Sequence, residues 1–198
     1  MAFRSFASLA AIVLAWGMAL PAHLTAQPAP VVIVETDLGA IEIAVDEGAA
    51  PRTAANFLWY VDEGLYDEGQ FHRTVTMDNQ PGDDVKIEVV QASIASAREV
   101  DERPAIALER TTATGLLHVD GAVSMARGGP DTATSSFFIC IGDQPSLDFG
   151  GARNPDGQGF AAFGQVVSGM DVVRRIQQSP ADGQQLAPPI HILRAYRK

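Results

Sequence analysis

Cysteine, lysine and long apolar runs are all scarce in this 198-residue sequence. Cys140 is the only cysteine, so no disulfide can form within the chain in any redox compartment. It lies in the apolar run Phe137-Phe138-Ile139-Cys140-Ile141, where a lone thiol behaves as a small buried hydrophobe and not as a nucleophile. His23, His72, His118 and His191 are scattered, and no Cys/His spacing suits zinc, so neither a metal nor another cofactor is expected. Lys86 and Lys198 are the only lysines, against 12 arginines and 24 acidic residues, and the net charge is -10. Phosphate backbones demand clustered cations, so nucleic acid is set aside as a partner. Gly157-Gln158-Gly159 lacks the remaining glycines and the lysine of a phosphate loop. No Gly-x-Ser-x-Gly elbow is present, and Ser124 has no evident base partner in the sequence.

One apolar run does stand out, at the N-terminus. Arg4 precedes the mostly apolar stretch Phe6 to Leu20, followed by Pro21 and the small-residue sequence ending Leu24-Thr25-Ala26. This is the pattern of a signal peptide, residues 1–26, cleaved after Ala26. The run is short for a membrane span and no second one follows, so stable insertion after cleavage is not expected. An uncleaved anchor is the competing reading. Loss of residues 1–26 removes one arginine and takes the net charge to -11. Residues 27–30 form a linker, and residues 31–198 have the length and the apolar content for one domain with a sizeable core.

Within that domain the periodicity is mostly that of strands. Val31 to Val34 is continuously apolar, Thr36-Asp37-Leu38-Gly39 has the composition of a turn, and Ile41, Ile43 and Val45 alternate with Glu42 and Ala44. The period then changes. Pro51 suits a first helical turn, and Ala54, Phe57, Leu58 and Val61 share one face before Gly64. Phe71 to Val75, Ile87 to Gln91, Gly121 to Met125, Ser136 to Ile141 and Ala161 to Val167 are further expected strands. Asp78 to Asp84 and the glycine-rich stretch Phe149 to Gly159 are loops, and Ala92 to Thr114 has no clear period. Val172, Val173 and Ile176 mark a short second helix, and Ile190 and Ile192 a last strand. Many short strands with two helices predict an antiparallel barrel or sandwich.

Five motifs then follow in order: Phe71-His72-Arg73, Gln91, Ser124-Met125-Ala126-Arg127, Ser135-Ser136-Phe137-Phe138-Ile139 and Phe160 to Gly164. This ordered set, from about Val31 to the C-terminus, resembles the cyclophilin family of peptidyl-prolyl isomerases. The resemblance implies a mainly β fold, a closed eight-stranded antiparallel β-barrel capped by two α-helices. It also implies acceleration of X-Pro rotation in unfolded or extended polypeptides, with no covalent intermediate and no cofactor. A monomer is expected. The short signal, with no lipidation cysteine, and the long glycine-rich loop look like exported bacterial members, so the periplasm is the expected destination.

The resemblance assigns roles residue by residue. Arg73 matches the family's catalytic arginine. Phe71, two residues away, shares Arg73's face if the strand is regular, where it supports the pocket or fills the core. Gln91 matches a glutamine that holds the substrate backbone, and Val89 shares its face as a pocket wall. Phe138 matches the base of the proline pocket, Leu147 a wall, and Met125, Ala126 and Arg127 the adjoining groove, whose backbone would hold the peptide. Ser136 stands where glutamine is common, Phe160 where histidine is frequent, and Ser146 where some members carry tryptophan. Loss of that aromatic wall implies weak cyclosporin binding. Ala92-Ser93 replaces a glycine pair. These departures leave a second reading, a cyclophilin-shaped binding or holdase module with little turnover. A third, a small-ligand barrel resembling lipocalins, assigns Arg73 no role.

Overall fold

The computed structural model describes residues 29–198. The expected signal segment, its cleavage site and the start of the linker lie outside the described residues. β1 (Val31–Thr36) and β2 (Gly39–Val45) form the expected hairpin. Thr36 closes its turn, the hydroxyl accepting from the Leu38 N–H at 3.2 Å and donating to the Gly39 carbonyl at 2.7 Å. After them come α1 (Pro51–Asp62), β3 (Gln70–Val75), β4 (Val89–Ser93), α2 (Thr111–Thr114), β5 (Ala122–Met125), β6 (Phe137–Cys140), β7 (Ala161–Ser168), α3 (Met170–Gln177), β8 (Ala181–Asp182) and β9 (Gln185–Arg197). The antiparallel order is β1-β2-β7-β5-β6-β4-β3-β9, and β9 pairs back onto β1. Eight strands therefore close a ring with no free edge. The two-residue β8 pairs only with β9 and lies outside that ring.

The two expected helices cap opposite ends. Val45, the last residue of β2, pairs with Gly164 near the start of β7, whereas Ser168 at the end of β7 pairs with Glu42. The chain thus enters α1 from one rim and α3 from the other. Phe57 on α1 packs against Phe137, Tyr66 and Phe163, with ring centroids 4.9–5.5 Å apart. Val172, Val173 and Ile176 of α3 join the same core. Each such side chain contributes about 1.5–3 kcal/mol by leaving water. Gly169, before α3, has φ +90, and a Cβ there would lie 2.4 Å from the Ala40 carbonyl oxygen, so only glycine fits.

The stretch 92–114 gains its structure from distant partners. Ser96–Asp101 is a 3₁₀ turn, Ile106 bridges to Ala133, and Thr111–Thr114 forms one helical turn. Glu109 caps α1, which has no side-chain cap of its own. Its carboxylate accepts from the N–H groups of Arg52 (3.2 Å) and Thr53 (2.7 Å) and from the Thr53 hydroxyl (2.6 Å). β4 starts at Val89 and not at Ile87. The Gln80 side chain occupies the place of a neighbouring strand there, donating to the Ile87 carbonyl (2.8 Å) and accepting its N–H (3.2 Å).

Candidate functional site

Side chains of β3, β4, β5 and β6 alternate between the barrel interior and a second apolar cluster on its outer face. Val90, Phe137, Ile139, Val123 and Met125 belong to the interior, while Val89, Phe138, Cys140 and Ala122 belong to the outer cluster. The register aligns Arg73 with Gln91, Gln91 with Phe138 and Phe138 with Ser124, a single row across four adjacent strands. With strands about 4.8 Å apart, the Arg73 and Phe138 backbones are separated by about 10 Å.

Arg73 reaches this face because of a bulge. Phe71 pairs with Ala92 and Arg73 with Gln91, so two steps along β3 match one along β4 and His72 is the extra residue. The bulge reverses the alternation. Phe71 points into the barrel, fully buried with its ring 6.1 Å from that of Phe137, while Arg73 points outward. The expectation that Phe71 and Arg73 share a face is therefore wrong, and Phe71 fills the core and does not line the pocket.

The guanidinium of Arg73 is held by two neutral amides. Nη1 donates to Gln91 Oε1 at 3.0 Å, and Nε and Nη2 donate to Gln184 Oε1 at 3.0 and 2.6 Å. Burial, and secondarily the nearby Arg153, lower its pKa, with Asp83 acting in the opposite direction. An arginine remains charged throughout the accessible range.

Beside this fixed cation lies a cavity of about 350 Å³ lined by Arg73, Gln91, Val89, Phe138, Leu147, Phe160, Ala126, Arg127 and Ser136. That volume suits one small apolar group with a few polar contacts. Phe138 is its buried floor. Phe160 stands perpendicular to it at 5.3 Å, its N–H bonded to the Leu147 carbonyl at 2.9 Å. Arg127 stacks over Phe160 at 4.9 Å, pairs with Asp156 at 2.8 Å and donates to the Gly159 carbonyl, tying the glycine-rich loop to the pocket wall.

Two groove expectations need correction. Met125 pairs with Phe137, shares its inward face and is fully buried in the core, so it cannot line the pocket. The Ala126 N–H donates to the Ser136 carbonyl at 2.9 Å and is not free for a peptide. The sequence reading also omits residues that the fold brings in. Ile87, Gly128, Thr132 and Thr134 line the same cavity, and Gln184 comes from the turn between β8 and β9. Nothing local marks Gln184, because its importance lies only in what it touches.

Ser124 does have a base partner. His118 Nε2 lies 3.0 Å from Ser124 Oγ, and its Nδ1 lies 2.7 Å from Asp148 Oδ1. The carboxylate fixes the proton on Nδ1, so Nε2 accepts from the serine hydroxyl. The order Asp148, His118, Ser124 is that of a nucleophilic triad, but Ser124 is fully buried and the imidazole stacks at 5.9 Å beneath Phe138. No substrate reaches that hydroxyl. The arrangement instead supports the pocket floor.

Burial is the main influence on His118 and pushes its pKa down, while Asp148 partly opposes the shift. The folded chain therefore resists a proton that the unfolded chain takes up near the ordinary value of 6.5. The sign follows: no penalty at higher pH, and stability falling as pH drops through the unfolded value toward the lower folded one. The melting temperature is expected to decline between about pH 7.5 and 5.5, and His118→Gln should flatten that slope. His72, also shifted down chiefly by burial, leaves part of the slope in place. Identical pH dependence in the two proteins would remove His118 from this account. Cys140 is fully buried and its thiol is pushed up by burial, which leaves it inert.

The family model described as cyclophilin type peptidyl-prolyl cis-trans isomerase/CLD matches residues 31–197. A peptidyl-prolyl cis-trans isomerase of Acinetobacter baylyi is 34% identical over 165 residues, covering 83% of this chain and 79% of that protein. Peptidyl-prolyl cis-trans isomerase B of Escherichia coli K12 is 33% identical over 147 residues, covering 74% and 83% respectively. Among solved structures, a Cryptosporidium parvum cyclophilin type peptidyl-prolyl cis-trans isomerase superposes with a TM-score of 0.68 at 19% identity, over 86% of this chain and 98% of that one. A second structure of that protein, in the presence of the dipeptide Ala-Pro, gives a TM-score of 0.66 at 18% identity over 85% and 98%.

Proposed function

The chain belongs to the cyclophilin-type peptidyl-prolyl cis-trans isomerase family, and we propose that it accelerates X-Pro rotation in extended polypeptides at the pocket between Arg73 and Phe138. The observation that carries this reading is the row Arg73–Gln91–Phe138, which sets a fixed cation two strands away from an apolar floor.

Amide resonance opposes rotation with a barrier of about 18–20 kcal/mol. No nucleophile or cofactor is required to lower it, only a site that binds the twisted amide better than either planar form. The proline ring occupies the slot formed by Phe138, Leu147, Val89 and Phe160. As the bond twists, the prolyl nitrogen regains a lone pair and accepts a hydrogen bond from Arg73 that a planar amide accepts poorly. A guanidinium already held in place undergoes no reorganisation at that moment. Gln91 supports the arginine and, through its amide N–H₂, can donate to the substrate backbone.

We further propose export. The N-terminal pattern of Arg4, an apolar run and Ala26 supports a cleaved signal, and a bacterial periplasm is the destination. Clients are proline-containing chains in extended form, met by a monomer, and Ser146 in place of an aromatic wall makes cyclosporin binding weak. The test is NMR exchange spectroscopy on short Ala-Pro and Phe-Pro peptides, with catalytic amounts of protein lacking residues 1–26. Faster cis-trans exchange is the expected result. A folded protein that binds these peptides without accelerating exchange would support the binding module instead.

A further inference from the structure

Arg73 is held by a residue 111 positions further along the chain that does not itself line the pocket. Gln184 sits in the tight turn between β8 and β9, and its single carbonyl oxygen accepts from both Nε and Nη2 of Arg73. The rest of the glutamine is itself fixed. Its Nε2 donates to the Asn79 carbonyl at 3.1 Å, and its backbone carbonyl accepts the Thr74 N–H at 2.9 Å. Asn79 in turn binds the Thr76 N–H (2.9 Å), the Thr74 carbonyl (3.0 Å) and the Gly183 carbonyl (3.1 Å), which fastens the loop after β3 to the β8–β9 turn. Gln184 thus immediately precedes Gln185, the β9 residue that pairs with Arg73, and the turn from β8, the one strand outside the closed ring, carries an anchored acceptor to the guanidinium.

We propose that Gln184 is a positioning residue that orients the Arg73 guanidinium without neutralising it. Two features carry this. The first is donor accounting. A guanidinium has five N–H donors; Gln184 and Gln91 engage three of them, which leaves one on Nη1 and one on Nη2 for substrate. The second is charge. Both acceptors are amides, although the chain is rich in carboxylates and the usual arginine clamp is an aspartate or glutamate. A carboxylate would orient the fork equally well but would cancel the positive charge that attracts the prolyl nitrogen lone pair. The inference rests on Arg73 being the donor in catalysis.

The test uses Gln184→Met, which keeps length and volume but lacks a strong acceptor, and Gln184→Glu, which keeps the acceptor and adds a negative charge. Each is made in the wild-type and the Arg73→Ala backgrounds of the chain lacking residues 1–26. Readouts are kcat and KM from exchange spectroscopy and the Arg73 Nε–H resonance, with circular dichroism confirming the fold. Gln184→Met should lower kcat about tenfold, leave KM nearly unchanged and lose the protected Nε–H signal. Gln184→Glu should keep that signal and still lower kcat. Neither should have an effect beyond about twofold once Arg73 is alanine, because coupled residues act as one unit. Unchanged kcat in Gln184→Met overturns the clamp. An equal loss in both backgrounds overturns it too, since the residue then acts on the fold and not on Arg73. Full activity in Arg73→Ala alone would overturn the reading of Arg73 on which the clamp depends.

Discussion

Arg73→Ala is expected to lower kcat/KM by about 10²- to 10³-fold, most of it in kcat, while the protein stays folded. That is the usual effect of removing one preorganised donor from a site of developing charge. The loss falls on kcat because the planar substrate gains little from the guanidinium, so ground-state binding hardly depends on it. The fold should survive. Arg73 is only partly buried, and its removal frees two glutamine oxygens that water can reach. Arg73→Lys separates charge from geometry. An ammonium keeps the charge but has no planar fork to span Gln91 and Gln184, so an intermediate rate is expected. Exchange spectroscopy on an Ala-Pro peptide, with circular dichroism as the fold check, measures all three proteins. A folded Arg73→Ala retaining more than half the wild-type rate would end the assignment.

Phe138 should show the opposite kinetic pattern together with a large loss of stability. Its ring is buried against Phe160, His118, Val89 and Leu147 on the outer face of β6. Truncation to alanine removes a buried aromatic and leaves a void, at a cost of about 3–5 kcal/mol. In a domain of this size each kcal/mol lowers the melting temperature by about 2–4 °C, so a drop of roughly 10 °C is expected by calorimetry. The proline ring meets Phe138 in the planar and the twisted states alike. The loss of binding is therefore uniform and should raise KM more than it lowers kcat. Because alanine also weakens the fold, Phe138→Leu is the sharper kinetic test. It keeps much of the volume, and its KM should rise several-fold at a temperature where the variant is fully folded. A wild-type KM in Phe138→Leu would show that the ring binds elsewhere. Opposite kinetic signatures at Arg73 and Phe138 would separate the donor of the site from its binding slot.

The binding module without turnover owed its appeal to Ala92, Ser93, Ser136 and Ser146. Ala92 is fully buried in the barrel core opposite Phe71, and Ser93 extends β4, so these two departures lie in the wall and not in the pocket. Ser136 does line the cavity, but Arg73, Gln91 and Phe138 hold their row without any contribution from its side chain.

Much of the architecture was legible from periodicity alone. Closure of the barrel was implied only by the family resemblance that the ordered motifs carry, whereas alternation marked β2, a continuous apolar run marked β1, and the face Ala54–Phe57–Leu58–Val61 marked α1. These features are local: a strand alternates and a helix repeats because the backbone itself has that period. The pocket wall Val89 followed from the same rule, since no irregularity separates it from Gln91.

Tertiary structure decided what local period cannot express. The bulge at His72 depends on how β3 hydrogen-bonds to β4 and β9, and it alone sends Phe71 inward and Arg73 outward. Met125 went to the core because its register partner is Phe137 and not Phe138. Glu109 caps a helix 57 residues earlier, His118 supports Phe138 from another segment, and Gln184, 111 residues on, meets Arg73 because β9 pairs with β3 there. Each of these rests on a polar or stacking contact between residues far apart in the chain, and such contacts leave no period behind them. The sequence by itself determined most of the strands, the two capping helices and part of the site, Arg73, Gln91, Val89 and Phe138 among it. Barrel closure decided which of those side chains meet, because hydrogen-bond register between strands is a property of the pair.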